Sequence, residues 1–439
     1  MTPDEEDFLT LLHQNLEQRE LRPDDPRYVS VTDHAAAFGP DVILELSREL
    51  SRSSVGAMAF LTGTRGSGKS TQLLRLKQQL TERGFAVAYV DLEDYLNLRQ
   101  PLEITELLYG MVGAISDAIA QERWIPTEDA IALGWGRLAD WLRNQLSRIT
   151  LTPEAEASLG VDLPGLMTGK VSVKAELRQD ESFVAAMNRY LQGRTSELAR
   201  AANEAVDAMV DRLRTASDTR GETWKGLIVL FDSLDHVRGT DFTHVRRALQ
   251  EVFDRHARTV RLTGARTVFV VPQWLHLEET VRRVVNVKVH DRSGECFEPG
   301  IDALVEIVRR RVPEGSLDRL FPDPDQLRDF VADSGGHLRD LLRLVRNAET
   351  SAVALPFDGP LLHRARQLER ERMTPIADDE RACLRHVRAT HHVPLPSQDE
   401  WEALAGLFDR HLILGYLNGQ LWYGVHPLIV DEIDQPAVR

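Results

Sequence analysis

The segment that most constrains the fold of this chain is the eight-residue run 63–70, GTRGSGKS. It follows the apolar stretch 57–62, AMAFLT, which predicts a buried strand, and it precedes 70–83, whose leucines repeat at helical spacing. A strand, a glycine-rich turn and a helix in this order form a local structure in which successive backbone N–H groups curl around a phosphate. The pattern therefore predicts a phosphate-binding loop.

Within this loop, each residue type has a specific use. Lys69 is expected to reach the β- and γ-phosphates of a nucleotide, and Ser70 to ligate magnesium. Only six of the 53 basic residues are lysine, and one of them stands where a compact ammonium fits among phosphate oxygens better than a planar guanidinium. The predicted nucleotide-binding residues are Gly63, Thr64, Arg65, Gly66, Ser67, Gly68, Lys69, Ser70 and Thr71.

A second motif ends in carboxylates. The apolar run 227–231, LIVLF, is followed by Asp232, Ser233, Leu234 and Asp235. Asp232, at the carboxyl end of a predicted strand, is expected to hold magnesium, and Asp235 to polarise the attacking water. Helix capping is the alternative explanation for such an aspartate. No Asn-Lys-x-Asp or Thr-Lys-x-Asp sequence is present, so ATP is favoured over GTP.

The apolar pattern predicts further strands at 86–92, 267–271 and 286–290, separated by helices. Alternating strands and helices predict an α/β fold with a parallel P-loop NTPase sheet. Residues 102–219 are helical by pattern and form a large insertion. Two more helices and a hairpin, 412–417 and 420–425 joined by Asn418-Gly419, outline a winged helix at the C-terminus.

These elements predict four regions. Residues 1–37 form an N-terminal arm, and 38–300 form the P-loop ATPase core, with 102–219 as its insertion. Residues 301–372 form a helical region, and 373–439 form the winged helix.

In these motifs the chain resembles the AAA+ and STAND branch of P-loop ATPases, which includes origin-recognition ATPases and signal-transduction ATPases of bacterial antiphage defence. The resemblance extends from about residue 38 to the C-terminus. It implies that Gln273, after strand 267–271, senses the γ-phosphate. It also implies that Arg339, in the run 334–341 (SGGHLRDL), reaches the nucleotide from a helical lid at 301–372, and that Arg282 or Arg283, on a helix before the last strand, acts as an arginine finger.

The sequence departs from the family pattern in two places. Typical AAA+ chains carry glutamate directly after the magnesium-binding aspartate, whereas Ser233 stands here and Asp235 follows. Typical STAND chains also carry an effector domain and long sensor repeats, for which this sequence has no room. The resemblance therefore implies a minimal switch with slow, magnesium-dependent ATP hydrolysis, which acts through homo-oligomers or a separately encoded effector protein.

Charge and composition restrict the other function classes. The formal net charge of -15 opposes non-specific binding to nucleic acid and to anionic membranes. The sequence shows neither an apolar run of spanning length nor a secretory signal, so we expect a cytoplasmic protein without membrane contact. Cys296 and Cys383 are too few for a disulfide framework.

Three functions remain open at the level of sequence. The leading hypothesis is an ATP-controlled signalling switch in antiviral defence. The alternative is a DNA-remodelling ATPase of the origin-recognition or transposition-regulator type, in which the winged helix contacts DNA. The third is a scaffold that uses bound ATP only for stability.

Overall fold

The computed structural model describes residues 2–147, 188, 191, 193–216, 221–238, 241–394, 396–397 and 400–434. In chain order its elements are α1 Pro3–Asn15, α2 Ala35–Phe38, α3 Val42–Arg52, β1 Met58–Gly63, α4 Lys69–Glu82, β2 Ala86–Asp91, α5 Ile104–Gln121, α6 Thr127–Ile131, α7 Arg137–Ser147, α8 Thr195–Arg214, β3 Leu227–Asp232, α9 Phe242–Asp254, α10 Ala257–Val260, β4 Ala265–Val270, β5 Val281–Val284, α11 Glu298–Arg309, α12 Pro324–Asp333, α13 Leu338–Ser351, α14 Gly359–Met373, α15 Asp378–Thr390, α16 Trp401–Asp409, β6 Ile413–Asn418, β7 Gln420–Val425 and α17 Val430–Asp434.

Five strands form one sheet in the order β2-β3-β4-β1-β5. The pairings β2 with β3, β3 with β4, and β4 with β1 are parallel. Every residue of β3 and β4 is buried, as expected for strands covered on both faces. The predicted α/β class with a parallel sheet is confirmed.

The chain divides into two compact units. The first comprises Met1–Ile43, Gly63–Arg75 and Arg283–Arg439, and the second comprises Leu44–Thr62 and Leu76–Arg282. The phosphate loop thus belongs to the unit that also contains helices α11 to α17 and the β6–β7 hairpin.

The last sheet strand differs from the prediction. Residues 286–290 form no strand, and β5 is the preceding segment Val281–Val284, where a helix carrying Arg282 and Arg283 was expected. Both arginines therefore lie on a strand. Residues 286–289 are all buried, the polar ones included. The N–H groups of Asn286, Val287 and Lys288 donate to three separate segments instead of one neighbouring strand.

In the first unit, one apolar core includes residues from α1, from α11 to α13, and from the helices α15 and α16 near the C-terminus. Its buried members include Leu12, Val289, Leu304, Phe330, Leu341, Leu384, Leu407 and Ile429. The two predicted helices and hairpin near the C-terminus are present as α15, α16 and β6–β7, and Asn418 and Gln420 flank the hairpin turn.

In the second unit, α5 is buried along nearly its whole length and packs against α6 and α8. The described parts of the predicted insertion 102–219 are helical, while 148–187 lies outside the described residues. No helix among the residues that the structure describes is long and apolar enough to span a bilayer.

One acidic side chain is enclosed in this helical block. Glu106, in the first turn of α5, is 5% exposed, and the amide of Asn188 donates to its Oε1 at 2.7 Å. Burial raises the pKa of Glu106 from 4.5 to about 7, against the opposing effect of the Asn188 hydrogen bond. The folded state therefore binds this proton more tightly than the unfolded chain does.

This raised pKa predicts a pH dependence of stability. The contribution of Glu106 is complete below pH 4.5 and is lost as the pH rises through about 7. We expect Glu106→Gln to raise the unfolding free energy at pH 8 by on the order of 1–3 kcal/mol, at about 1.4 kcal/mol per pKa unit. Denaturant titrations at several pH values measure this gain, and the exposed Glu128→Gln is the control. Equal effects of the two substitutions at pH 8 would contradict the prediction.

Candidate nucleotide site

The phosphate loop connects the end of β1 to the first turn of α4 and is stabilised by its own lysine. The buried Lys69 ammonium donates to the carbonyl oxygens of Gly63 at 3.0 Å and Thr64 at 2.9 Å. Gly66 and Gly68 have φ values of +92° and +94°, a region that favours glycine. The two glycines therefore allow the tight curl that the sequence pattern predicts.

Two polar atoms in the loop favour an anionic ligand. Arg65 Nε and Ser67 Oγ are buried, and neither has a hydrogen-bond partner among the described residues. The first turn of α4 begins directly after them, at Lys69, and its unpaired N–H groups favour negative charge. These donors fit a phosphate group, so the loop is suited to a nucleotide.

The hydroxyl groups of Thr64 and Thr71 have partners within the protein. Thr64 Oγ1 lies 3.1 Å from Asn286 Oδ1, and Thr71 Oγ1 accepts from the N–H of Leu21 at 3.3 Å. The half-buried Ser70 is in the first turn of α4. The loop is thereby attached to the N-terminal arm and to the segment that follows β5.

Arg339 lies directly against the phosphate loop. It is the second residue of α13, and a Cβ placed on Gly66 would lie 2.8 Å from Arg339 Cβ and 2.9 Å from Arg339 Nε. The ring of His337, which precedes α13, also covers Gly66, and its Nε2 lies 2.9 Å from the carbonyl oxygen of Arg65. Because a carbonyl only accepts, His337 Nε2 is the donor.

The carboxylate of Asp232 is held by two hydrogen bonds at the end of β3. Tyr89 donates its hydroxyl to Oδ2 at 2.7 Å, and the N–H of Ser233 donates to Oδ1 at 2.8 Å. Ser233 has φ +74°, a left-handed conformation that is uncommon outside glycine and clusters at functional sites. Asp232 is therefore fixed in orientation.

Asp235 is half-buried in the short 3-10 turn Leu234–His236 that follows. In the same unit, His236 Nδ1 lies 3.0 Å from Glu93 Oε2, just beyond β2. Gln273 is half-buried in the turn after β4. The sequence thus placed these polar residues correctly at or beyond strand ends, while their chemical roles stay predictions.

The two arginine-finger candidates have local contacts. Arg282 forms an ion pair with Glu49 of α3. Arg283 lies close enough to Tyr423 of β7 for its positive charge to oppose the rise in the Tyr423 pKa that burial causes. Neither observation assigns a role in a second subunit.

Three residues of this region were absent from the sequence prediction. Tyr89 interrupts the apolar run that precedes Asp91 in β2, and it pairs with Leu230, two residues before Asp232. Its position was therefore a detectable signal. Asn286 and His337 contact the loop through hydrogen bonds across more than 200 residues of sequence, which no local pattern reveals.

No protein-family model matches the chain, and no curated protein matches it. Among solved structures, the chain is similar to a Walker-type ATPase of Pyrococcus abyssi, with 13% identity, a TM-score of 0.39, and coverage of 95% of this chain and 99% of that one. The ORC2 protein of Aeropyrum pernix, in ADPNP and ADP complexes, has 11% identity, a TM-score of 0.36, and coverage of 96% and 97%. Cdc6p of Pyrobaculum aerophilum has 12% identity, a TM-score of 0.36, and coverage of 92% and 96%. Similarity at this level bears on neither the activity nor the partners of this chain.

The contact of Arg339 with the loop gives a stability prediction. Gly66→Ala and Gly68→Ala carry a similar backbone cost because their φ values are nearly equal. Only at Gly66 does the added methyl group meet Arg339 and His337, since no heavy atom of the described chain lies within 4 Å at Gly68. We expect Gly66→Ala to lose about 1–3 kcal/mol more unfolding free energy than Gly68→Ala, measured by denaturant titration. Equal losses of unfolding free energy would show that α13 moves away from the added methyl group without a loss of stability.

Proposed function

We propose that this chain is an ATP-binding and ATP-hydrolysing switch in which the nucleotide at the phosphate loop controls the C-terminal helices and hairpin. The observation that carries the proposal is the loop itself. It has the phosphate-binding sequence, the expected strand–loop–helix context and two buried donors, Arg65 Nε and Ser67 Oγ, without protein partners in the described chain. Arg339 adds a positive charge beside Gly66.

In this proposal, the residues of the loop bind and orient the triphosphate. The backbone N–H groups of 63–71 donate to phosphate oxygens, and Lys69 supplies the compensating charge. Ser70 and Asp232 are assigned as magnesium ligands from their positions in the sequence pattern. When bound, ATP supplies the phosphoryl group, and Mg²⁺ neutralises its developing charge.

Asp235 is proposed as the residue that accepts a proton during hydrolysis. Asp232 is already engaged by Tyr89 and by the N–H of Ser233, and a serine hydroxyl is too weak a base for this role. Gln273 is proposed to sense the γ-phosphate, and Arg339 to contact the nucleotide from α13. A base on a short turn is consistent with slow turnover, which suits a switch.

The first test is the charge of the phosphate loop. We expect Lys69→Ala to weaken ATP binding by about 10- to 100-fold, because a charged hydrogen-bond donor contributes about 1.5–3 kcal/mol. Lys77→Ala, on the same helix but paired with Glu122, is the matched control and should leave the affinity unchanged. Calorimetry gives both values, and an unchanged affinity in Lys69→Ala would refute the assignment.

The second test separates the two aspartates. We expect Asp235→Asn to keep ATP and magnesium binding but to lower hydrolysis by about 100-fold or more, which is the usual scale for a lost general base. Asp232→Asn should instead raise the magnesium concentration needed for half-maximal binding. Hydrolysis at the wild-type rate in Asp235→Asn would make this residue a structural cap and move the base elsewhere, with Glu93 and Asp91 as the next candidates.

The domain organisation and the partners are also proposals. We propose 1–37 as an arm, 38–300 as the ATPase core with the insertion 102–219, 301–372 as the lid and 373–439 as a winged helix. The ATP state is proposed to form a homo-oligomer, with Arg282 or Arg283 at its contact, or to engage a separately encoded effector in antiviral defence. The Arg282–Glu49 ion pair must then open. Size measurements with a non-hydrolysable ATP analogue test the oligomer.

A second candidate function is DNA remodelling. Helices α15 and α16 followed by the β6–β7 hairpin have the element order of a winged helix, a module that can contact DNA. The net charge of -15 opposes it. Sub-micromolar DNA binding that weakens steeply with salt would favour this candidate over the signalling switch.

A further inference from the structure

A fully buried carboxylate joins several elements of the first unit. Asp340, in the first turn of α13, has no exposed surface, and His337 directly before this helix places Nδ1 at 2.8 Å from Asp340 Oδ2. His411, just before β6, places Nδ1 at 2.9 Å from the same oxygen, and His426, just after β7, places Nε2 at 3.5 Å. One carboxylate thus faces histidines from both ends of the hairpin and from the loop before α13.

The same carboxylate also faces two arginines. Arg372 of α14 lies 3.0 Å and Arg343 of α13 lies 3.3 Å from Asp340 Oδ1. Burial raises the pKa of Asp340, but the charge of His337 and the hydrogen bonds from the histidines outweigh it and hold the pKa well below its usual value. Asp340 is therefore an anion inside the protein.

The ligand atoms of His337, Asp340 and His411 lie within 4.8 Å of one another, a separation that could hold a metal ion. The charges argue against a metal. The two guanidinium groups that face Asp340 also pair with the buried Glu369, so two cations already offset two carboxylates, and a divalent cation would add two further positive charges. The cluster is better explained as a polar linkage between elements of the same chain.

This cluster reaches the phosphate loop by two routes. In the first, His337 bonds to the Arg65 carbonyl with one nitrogen and to Asp340 with the other, and Asp340 bonds to His411. In the second, the Asn286 side chain lies between Thr64 Oγ1, at 3.1 Å, and the carbonyl oxygen of Gly415 in β6, at 3.2 Å. Both routes join the phosphate loop to the β6–β7 hairpin through buried polar atoms.

The backbone at Gly335 and Gly336, which lies between the two routes, is packed too tightly to absorb a movement locally. A Cβ on Gly336 would lie 1.8 Å from the Val287 carbonyl oxygen, and the hydroxyl of Tyr416 in β6 donates to the Gly335 carbonyl at 2.6 Å. His411 itself has φ +63°, a conformation that costs energy outside glycine and persists only where its surroundings fix it. A displacement at either end is therefore passed on to the other.

We propose that Asp340 and Asn286 couple the phosphate loop to the β6–β7 hairpin, so that a phosphate bound at the loop changes the stability of the hairpin. The proposal deepens the proposed function and rests on it for the identity of the ligand. A phosphate that moves Thr64 and Arg65 removes the hydroxyl donor of Asn286 Oδ1 and the carbonyl acceptor of His337 Nε2. Buried polar groups without hydrogen-bond partners are costly, so the hairpin groups at the other end must rearrange.

The test uses the full chain, ADP with magnesium as the probe, and amide hydrogen exchange in peptides covering 412–425. We expect ADP to change exchange there by about threefold or more in the wild type, and by less than about 1.5-fold in Asp340→Asn and in Asn286→Ala. Both variants should still bind ADP within about tenfold of the wild-type affinity, which calorimetry measures.

The matched control is Asp333→Asn on α12, which removes the ion pair with Arg366 and should keep the wild-type response. The coupling would be overturned if ADP left hydrogen exchange in 412–425 of the wild type unchanged, or if the variants showed the same change in exchange as the wild type.

A second measurement needs no nucleotide. His411→Gln does not alter a residue that touches the phosphate loop, yet it should accelerate exchange in 63–71 by about threefold because it breaks the first route at Asp340. Unchanged exchange in 63–71 overturns the linkage. If Asp340→Asn does not fold, Asn286→Ala and His411→Gln decide the question. If the wild type binds no ADP, the proposed function fails, whereas this measurement still decides the coupling.

Discussion

The peptide N–H groups of Asn286, Val287 and Lys288 donate to three different parts of the chain. Their acceptors are the carbonyl oxygens of Gly415 in β6, Gly336 before α13 and Ala37 in α2. Buried N–H groups require partners, so this short extended segment fixes the hairpin, the start of α13 and the N-terminal arm around itself. The phosphate loop joins the same arrangement through Thr64 and Asn286. The first unit therefore depends on a segment that belongs to no sheet.

The same segment explains which parts of the fold the sequence could predict. Strands β1 to β4 were predictable because apolar runs flanked by turns carry their own signal, and the observed bounds differ from the predicted ones by at most two residues. The alternation in 286–290 indicates burial on one side only, and it does not say whether the partner is one strand or three loops. Val281–Val284 carries two arginines, and a four-residue edge strand has almost no periodicity that would distinguish it from a helix.

For the candidate site, the sequence revealed the residues that are local to a motif and missed those that act across the chain. The run 63–71 was recognisable because its glycines, lysine and serine follow one another at fixed spacing. His337, Asp340, His411 and His426 are spread over about 90 residues, and only the fold shows that they surround one carboxylate. Histidines and aspartates are common in exposed positions, so their sequence positions alone contained no evidence of burial.

The two buried aspartates illustrate how surroundings divide the work of one residue type. Asp232 accepts from the hydroxyl of Tyr89 on β2 and from the N–H of the next residue, so these two contacts fix the end of β3 against the neighbouring strand. Asp340 contacts histidines at both ends of the β6–β7 hairpin and two arginines, which also pair with the buried Glu369. Each buried carboxylate must satisfy its charge and its oxygen atoms with donors, so the elements that supply those donors are tied to it. The contacts of Asp232 therefore orient one turn after a strand, whereas those of Asp340 link elements that are far apart in the sequence.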